Sequence, residues 1–150
     1  MGDTTGRSGG FSLLELMIAT AIVAILAGFA YPSYTQSMTK NRRIAAASCL
    51  MEYSSYMEQF YATYLRYDKT SATGAVQTLP VLNCASNQQT GGTYTYAFAA
   101  GSLTQTTFKI SATPVADQAL KDRQCGALTI DQTGKRGDAT GTVGGSANCW

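Results

Sequence analysis

Histidine is absent from the 150 residues, and charge is sparse: 11 Lys and Arg face 9 Asp and Glu, for a formal charge of +2. Without an imidazole the chain has no His general base, no Ser-His or Cys-His nucleophile pair and no histidine-ligated metal. The carboxylates do not fill the gap. Three Glu and six Asp are scattered along the chain, and no two stand at a spacing that suggests an acid/base pair or a metal cage. No glycine-rich phosphate loop is present, and no cofactor is implied. So small a net charge gives no field that by itself argues for nucleic acid. The four cysteines, Cys49, Cys84, Cys125 and Cys149, include no Cys-x-x-Cys pair, so zinc spacing is missing, whereas disulfides in an oxidising compartment fit. An enzyme is not expected.

What the chain does have is one long apolar run, Gly9 to Pro32, reading GGFSLLELMIATAIVAILAGFAYP. Between Phe11 and Tyr31 only Ser12, Glu15 and Thr20 are polar, and about twenty such residues suffice to cross a bilayer as a helix. Pro32 removes a backbone donor and crowds the preceding turn, so the helix is expected to bend or unravel locally there, with Gly28 adding looseness. Glu15 is the anomaly. A carboxylate in hydrocarbon costs roughly 2 to 4 kcal/mol at mid-span, so it calls for a partner, or for a route to the headgroups from one turn inside the helix. A conventional secretory signal, cleaved near Gly28-Phe29-Ala30, is the rival reading. Asp3 beside Arg7, the length of the run and Glu15 within it argue against that.

The register of Gly10, Phe11 and Glu15 resembles the cleavage and assembly signal of type IV prepilins and pseudopilins, with Pro32 where many pilins place a helix-bending proline. The resemblance implies cleavage between Gly10 and Phe11 by a membrane-embedded prepilin peptidase on the cytoplasmic side, followed by methylation of the Phe11 amine. It also implies that Glu15 neutralises a neighbouring subunit's amine during filament assembly. The expected organisation is a removed leader over 1–10, a transmembrane and assembly helix over 11–32, and a periplasmic or extracellular globular domain over 33–150. Partners would be other pilin subunits, the processing peptidase/methyltransferase and the inner-membrane assembly machinery. The subunit would rest in the inner membrane as a single-pass protein, amino terminus in the cytoplasm, before joining the extracellular pilus.

Four cysteines allow three connectivities. Cys49–Cys84 with Cys125–Cys149 is favoured, each cross-link contributing roughly 3 to 4 kcal/mol in the chain-entropy model. The bias of Lys40, Arg42 and Arg43 after the run, against Arg7 before it, points the other way, since the positive-inside rule alone would put the carboxy-terminal side in the cytoplasm. The cysteines and the cleavage signal outweigh it. These three cations are read as a solvated helix face, or as contacts to neighbouring subunits or lipid headgroups.

Beyond Ser33 the pattern turns amphipathic. Leu50, Tyr53, Met57, Phe60, Tyr61 and Tyr64 recur at three- and four-residue spacing, the core-facing stripe of a helix that runs to about Leu65. With the span it would hold about 55 residues. Residues 67–92 read as a long loop. Three strand-like runs, 94–98, 108–112 and 128–131, alternate in an antiparallel meander whose face carries Tyr94, Tyr96, Phe98, Phe108, Ile110, Leu128 and Ile130. Residues 116–123 suggest a short helical turn. The glycine-dense tail from Gln132 would hold no regular element and needs a staple. That tail, with CGALTIDQTGKRG and Cys149-Trp150, is similar to minor pilins of the PilE class. The fold class expected is therefore α+β: a long amino-terminal helix on an antiparallel sheet of three to four strands.

The reading is a minor subunit of a type IV pilus supporting assembly, adhesion or twitching motility. A type II secretion pseudopilin is the alternative, but Asp131 and Asp138 make a poor substitute for the calcium site of many such proteins. A pilus-associated DNA-uptake subunit, gripping DNA with Lys135, Arg136, Asn148 and Trp150, rests on two cations and one aromatic and ranks lower.

Overall fold

The computed structural model describes residues 12–71, 74–139 and 149–150, and divides the chain into two compact units, Met1–Ser37 and Met38–Trp150. Helix α1 covers Leu13–Tyr64 with Pro32 inside it, so the backbone continues helical at the proline rather than stopping. Within the second unit follow strand β1 (Tyr94–Phe98), β2 (Lys109–Pro114), helix α2 (Ala116–Lys121), β3 (Leu128–Asp131) and β4 (Arg136–Gly137). The sheet order is β1-β2-β3-β4, antiparallel throughout. This is the α+β arrangement expected, one long helix and a four-stranded antiparallel sheet.

Period decides which side chains meet. Ala46, Leu50, Tyr53, Met57 and Phe60 lie three or four residues apart, so they share one face of α1 and are buried. On the sheet, Tyr94, Phe108, Ile110, Ala112, Leu128 and Ile130 alternate with less buried neighbours and join the same core. The register places Ala112 opposite Leu128 and Ile110 opposite Ile130, which stacks the apolar side chains of two strands in rows. Tyr67 adds to this core from the chain beyond the helix, its ring edge-on to Phe108 at 4.9 Å.

Several details depart from the expected pattern. The helical stripe ends one turn early: Tyr64 stacks on Phe60 but is 41% exposed, and Leu65 at φ 55 terminates the helix. Small residues Ala46, Ala47 and Cys49 instead extend the buried face toward the amino terminus. Residues 67–92 contain a bridge between Lys69 and Val76 and a 3-10 turn over Asn83–Ala85. The tail is not wholly irregular either. Asp131 accepts hydrogen bonds from the Thr133 amide and hydroxyl and the Lys135 amide, and Gly134 takes φ +74, so a tight turn lays β4 against β3.

Two disulfides close this unit, Cys49–Cys84 and Cys125–Cys149. The first ties α1 to the loop before β1. The second holds Cys149 and Trp150 beside the end of the sheet, where the Trp150 indole donates to the Gly137 carbonyl at 2.8 Å.

Tyr67 and Tyr94 are buried in the core and Tyr96 is half-buried against it. Burial pushes the Tyr67 and Tyr96 hydroxyls up to about 12, and raises Tyr94 further. A raised phenol favours the neutral folded form, so its contribution is complete below pH 10 and is lost as pH rises toward 12. Tyrosinate absorbance from these three is therefore expected to appear only above the ordinary phenol range, together with loss of sheet structure in circular dichroism.

Candidate assembly helix and cationic corners

Among the described residues, the first unit is a helix without a core. From Leu13 to Phe29 every described side chain is exposed, including Leu13, Leu14, Leu16, Met17 and Ile18 in near-consecutive positions, so the apolar surface covers all sides. A helix apolar all round belongs in lipid or in a bundle of like helices. It is long and apolar enough to cross a membrane. Glu15 lies in its first turn, where a carboxylate also complements the helix dipole. Gly10 and Phe11 lie outside the described residues, so the structure does not place the expected cleavage point beside it.

The proline follows its own chemistry. Pro32 has no N–H for the carbonyl one turn earlier, at Gly28, and a Cβ at Gly28 would meet nothing within 4 Å. Thr35 donates its hydroxyl to the Pro32 carbonyl at 2.9 Å, and Thr20 does the same to Met17. Such back-bonding satisfies oxygen atoms where no water is available.

In the second unit the three cations after the run separate. The Arg43 guanidinium donates to Asp122, a carboxylate only 3% exposed. The other Asp122 oxygen accepts from the Tyr94 hydroxyl at 3.0 Å. Gln118, 1% exposed, directs its amide nitrogen toward the Thr39 carbonyl, the Tyr94 hydroxyl and Asp122 at 3.0 to 3.3 Å. Its own carbonyl oxygen has no partner among the described residues. This polar knot fastens α2 to α1 and β1. Only the four-residue spacing of Gln118 and Asp122, which puts both on one face of α2, hinted at it in the sequence.

At the far corner of the sheet the residues proposed for DNA contact do come together, in part. The Arg136 guanidinium carbon lies 5.2 Å from the centre of the Trp150 ring, and Arg136 also reaches the Met51 sulfur on α1. Lys135 is exposed beside it. Asn148 falls outside the described residues. Asp131 is engaged in its turn: burial pushes its carboxyl up, but bonds from Thr133 and Lys135, with Lys109 nearby, outweigh that and hold it below the ordinary value. Among the described residues no group of three or more His, Cys, Asp or Glu is placed to hold a metal.

With an all-apolar helix and a disulfide-closed sheet domain in place, known families can be compared. A model of the prokaryotic N-terminal methylation motif matches residues 6–31, which defines the class as that of the prepilins, structural rather than enzymatic proteins. A second model, described as type IV minor pilin ComP, DNA uptake sequence receptor, matches residues 32–129, more than half of the chain, and the chain belongs to that family. It is a minor pilin subunit of a type IV pilus, and its partners include other pilins. A search among curated proteins finds no match.

The polar knot is a test of the fold. Replacing Asp122 by Ala leaves the Arg43 charge and the Tyr94 hydroxyl without their shared acceptor, and is expected to cost about 3 to 5 kcal/mol of stability in urea denaturation, against a smaller loss for Asp122→Asn.

Proposed function

We propose that this minor pilin is cut between Gly10 and Phe11, methylated on the Phe11 amine, held in the inner membrane by residues 11–32 with its domain outside, and then drawn into the filament. One observation carries the reading: α1 is apolar on every side from Leu13 to Phe29, yet begins with a single carboxylate. A surface of that kind is buried only by lipid or by equivalent helices, which are the two environments a filament subunit exchanges. In either, Glu15 needs a cation, and the free amine of a neighbouring subunit supplies one without importing a second side-chain charge. The Pro32 break in the hydrogen-bond ladder gives the helix a place to adjust as neighbours pack against it. The work is mechanical and involves no catalysis. The prepilin peptidase/methyltransferase and the inner-membrane assembly machinery are the partners it meets on the way.

The protein recovered from sheared surface filaments is expected to begin at Phe11, to carry one added methyl and to lack four cysteine hydrogens. Glu15→Ala is expected to leave membrane levels unchanged and to deplete the subunit from sheared filaments by at least about tenfold, corresponding to about 1.4 kcal/mol or more of assembly energy. A chain beginning at Tyr31 would overturn the reading.

A second reading is favoured by the description of the matched family as a DNA uptake sequence receptor together with the Arg136–Trp150 pair. Here the subunit carries DNA contacts at the Lys135, Arg136 and Trp150 corner, with phosphates on the cations and a base or sugar edge against the indole. Lys135→Ala with Arg136→Ala is expected to weaken duplex binding uniformly across sequences and to lower the salt slope by about 1.8. Absence of any DNA shift at low salt would remove this reading and leave the first intact.

A further inference from the structure

The charges that follow the apolar run have a use that filament membership does not explain. Arg43 turns inward to Asp122. Lys40 is exposed and Arg42 partly so, and neither forms an ion pair among the described residues. At 3.6 residues per turn they fall about 80° to either side of the Thr39–Arg43 face that receives α2. The other wall of the same corner is α2 itself. Gln118 and Asp122 fasten its inner face, which leaves Leu120 outward and 62% exposed, next to Lys121 and just before exposed Arg123. Lys121 is satisfied by Asp117 at 3.2 Å, whereas Arg123 forms no ion pair among the described residues. The carboxylates of the corner are thus buried or engaged, and an exposed apolar side chain shares the outer end of α2 with Arg123, on the helix that Gln118 and Asp122 fasten to the α1 turn carrying Lys40 and Arg42.

We propose that this corner is a foot that rests on anionic phospholipid headgroups at the membrane face from which the span emerges. Leu120 enters the boundary between headgroups and acyl chains, while Lys40, Arg42 and Arg123 meet lipid phosphates. An exposed apolar tip accompanied by cations is the composition of an interfacial membrane contact. A nucleic-acid backbone would use the cations but leave Leu120 in water, and no aromatic ring stands on α2 to stack a base. Only nine positions of chain separate Lys40 from Tyr31, so the covalent tether keeps the corner near the surface and even a weak contact is populated. The foot also removes the conflict with the positive-inside rule. Cations bound to headgroups outside need not mark a cytoplasmic segment.

The inference rests on the span lying in a bilayer, and its test separates the two. The full chain is placed in lipid nanodiscs of phosphatidylcholine alone, or of phosphatidylcholine with phosphatidylglycerol, and amide hydrogen exchange is followed over residues 116–123. Exchange there is expected to be at least about fivefold slower in the anionic discs, with each cation contributing a factor of about five to docking. The slowing should vanish at about 1 M salt. It should also vanish in Lys40→Gln/Arg42→Gln/Arg123→Gln and shrink in Leu120→Ser, all surface changes, while the amides of β2 and β3 exchange as before. Equal exchange in both lipids, or slowing that survives removal of the cations, overturns the foot. So does protection in neutral discs that appears only on adding duplex DNA, which would assign the corner to nucleic acid. Failure of the chain to enter either disc overturns the spanning helix and the foot together.

Discussion

One run of backbone hydrogen bonds, from Leu13 to Tyr64, serves two surroundings. In lipid every amide must be paired within the helix, and in the globular unit the same pairing lets a stripe of side chains face a sheet. The backbone is therefore held constant and the side chains change. Up to Phe29 apolar groups cover all sides; from Ala46 they narrow to one face, set by Leu50, Tyr53, Met57 and Phe60. The sheet and the Cys49–Cys84 bridge attach to that second face, and the polar knot joins α1 just before it, at Thr39 and Arg43. Pro32 lies between the two regimes, where the loss of one hydrogen bond disturbs neither the apolar surface nor the core.

The polar knot shows how the sheet domain limits what α1 can do. Gln118 and Asp122 are both buried, and burial of a charge and an amide is tolerated only because Arg43, Tyr94 and Thr39 meet them. Apolar packing alone would allow α2 to slide along the helix, since dispersion contacts are not directional. Hydrogen bonds to fixed positions do not allow it. The arrangement holds α2 in one place on α1.

Much of this was legible in the residues. The apolar run, the α1 stripe and the three alternating strands follow from period alone, because burial on one side forces a repeat of 3.6 or 2. What escaped depends on contacts distant in sequence. Arg43 and Asp122 are 79 positions apart and look like ordinary surface charges in the sequence. Strand β4 escaped for another reason: two residues, one of them Gly137, carry no alternation, and it forms because Asp131 and Gly134 bend the chain back onto β3. Tyr64 was read as core because it keeps the stripe's spacing, but the helix ends beside it and leaves it 41% exposed. For the cationic corner, spacing showed Lys135 and Arg136 together, while their relation to Trp150 required the Cys125–Cys149 bridge.

The two bridges are arranged one after the other along the chain, neither enclosing nor crossing the other. A domain delivered across a membrane from its amino end presents Cys49 and Cys84 before Cys125 has appeared. The first bridge can close with no competing thiol in reach, and the remaining two cysteines then have only each other. For a domain delivered in that order, correct pairing follows from order of arrival, with little need of a mechanism that breaks and remakes wrong bridges.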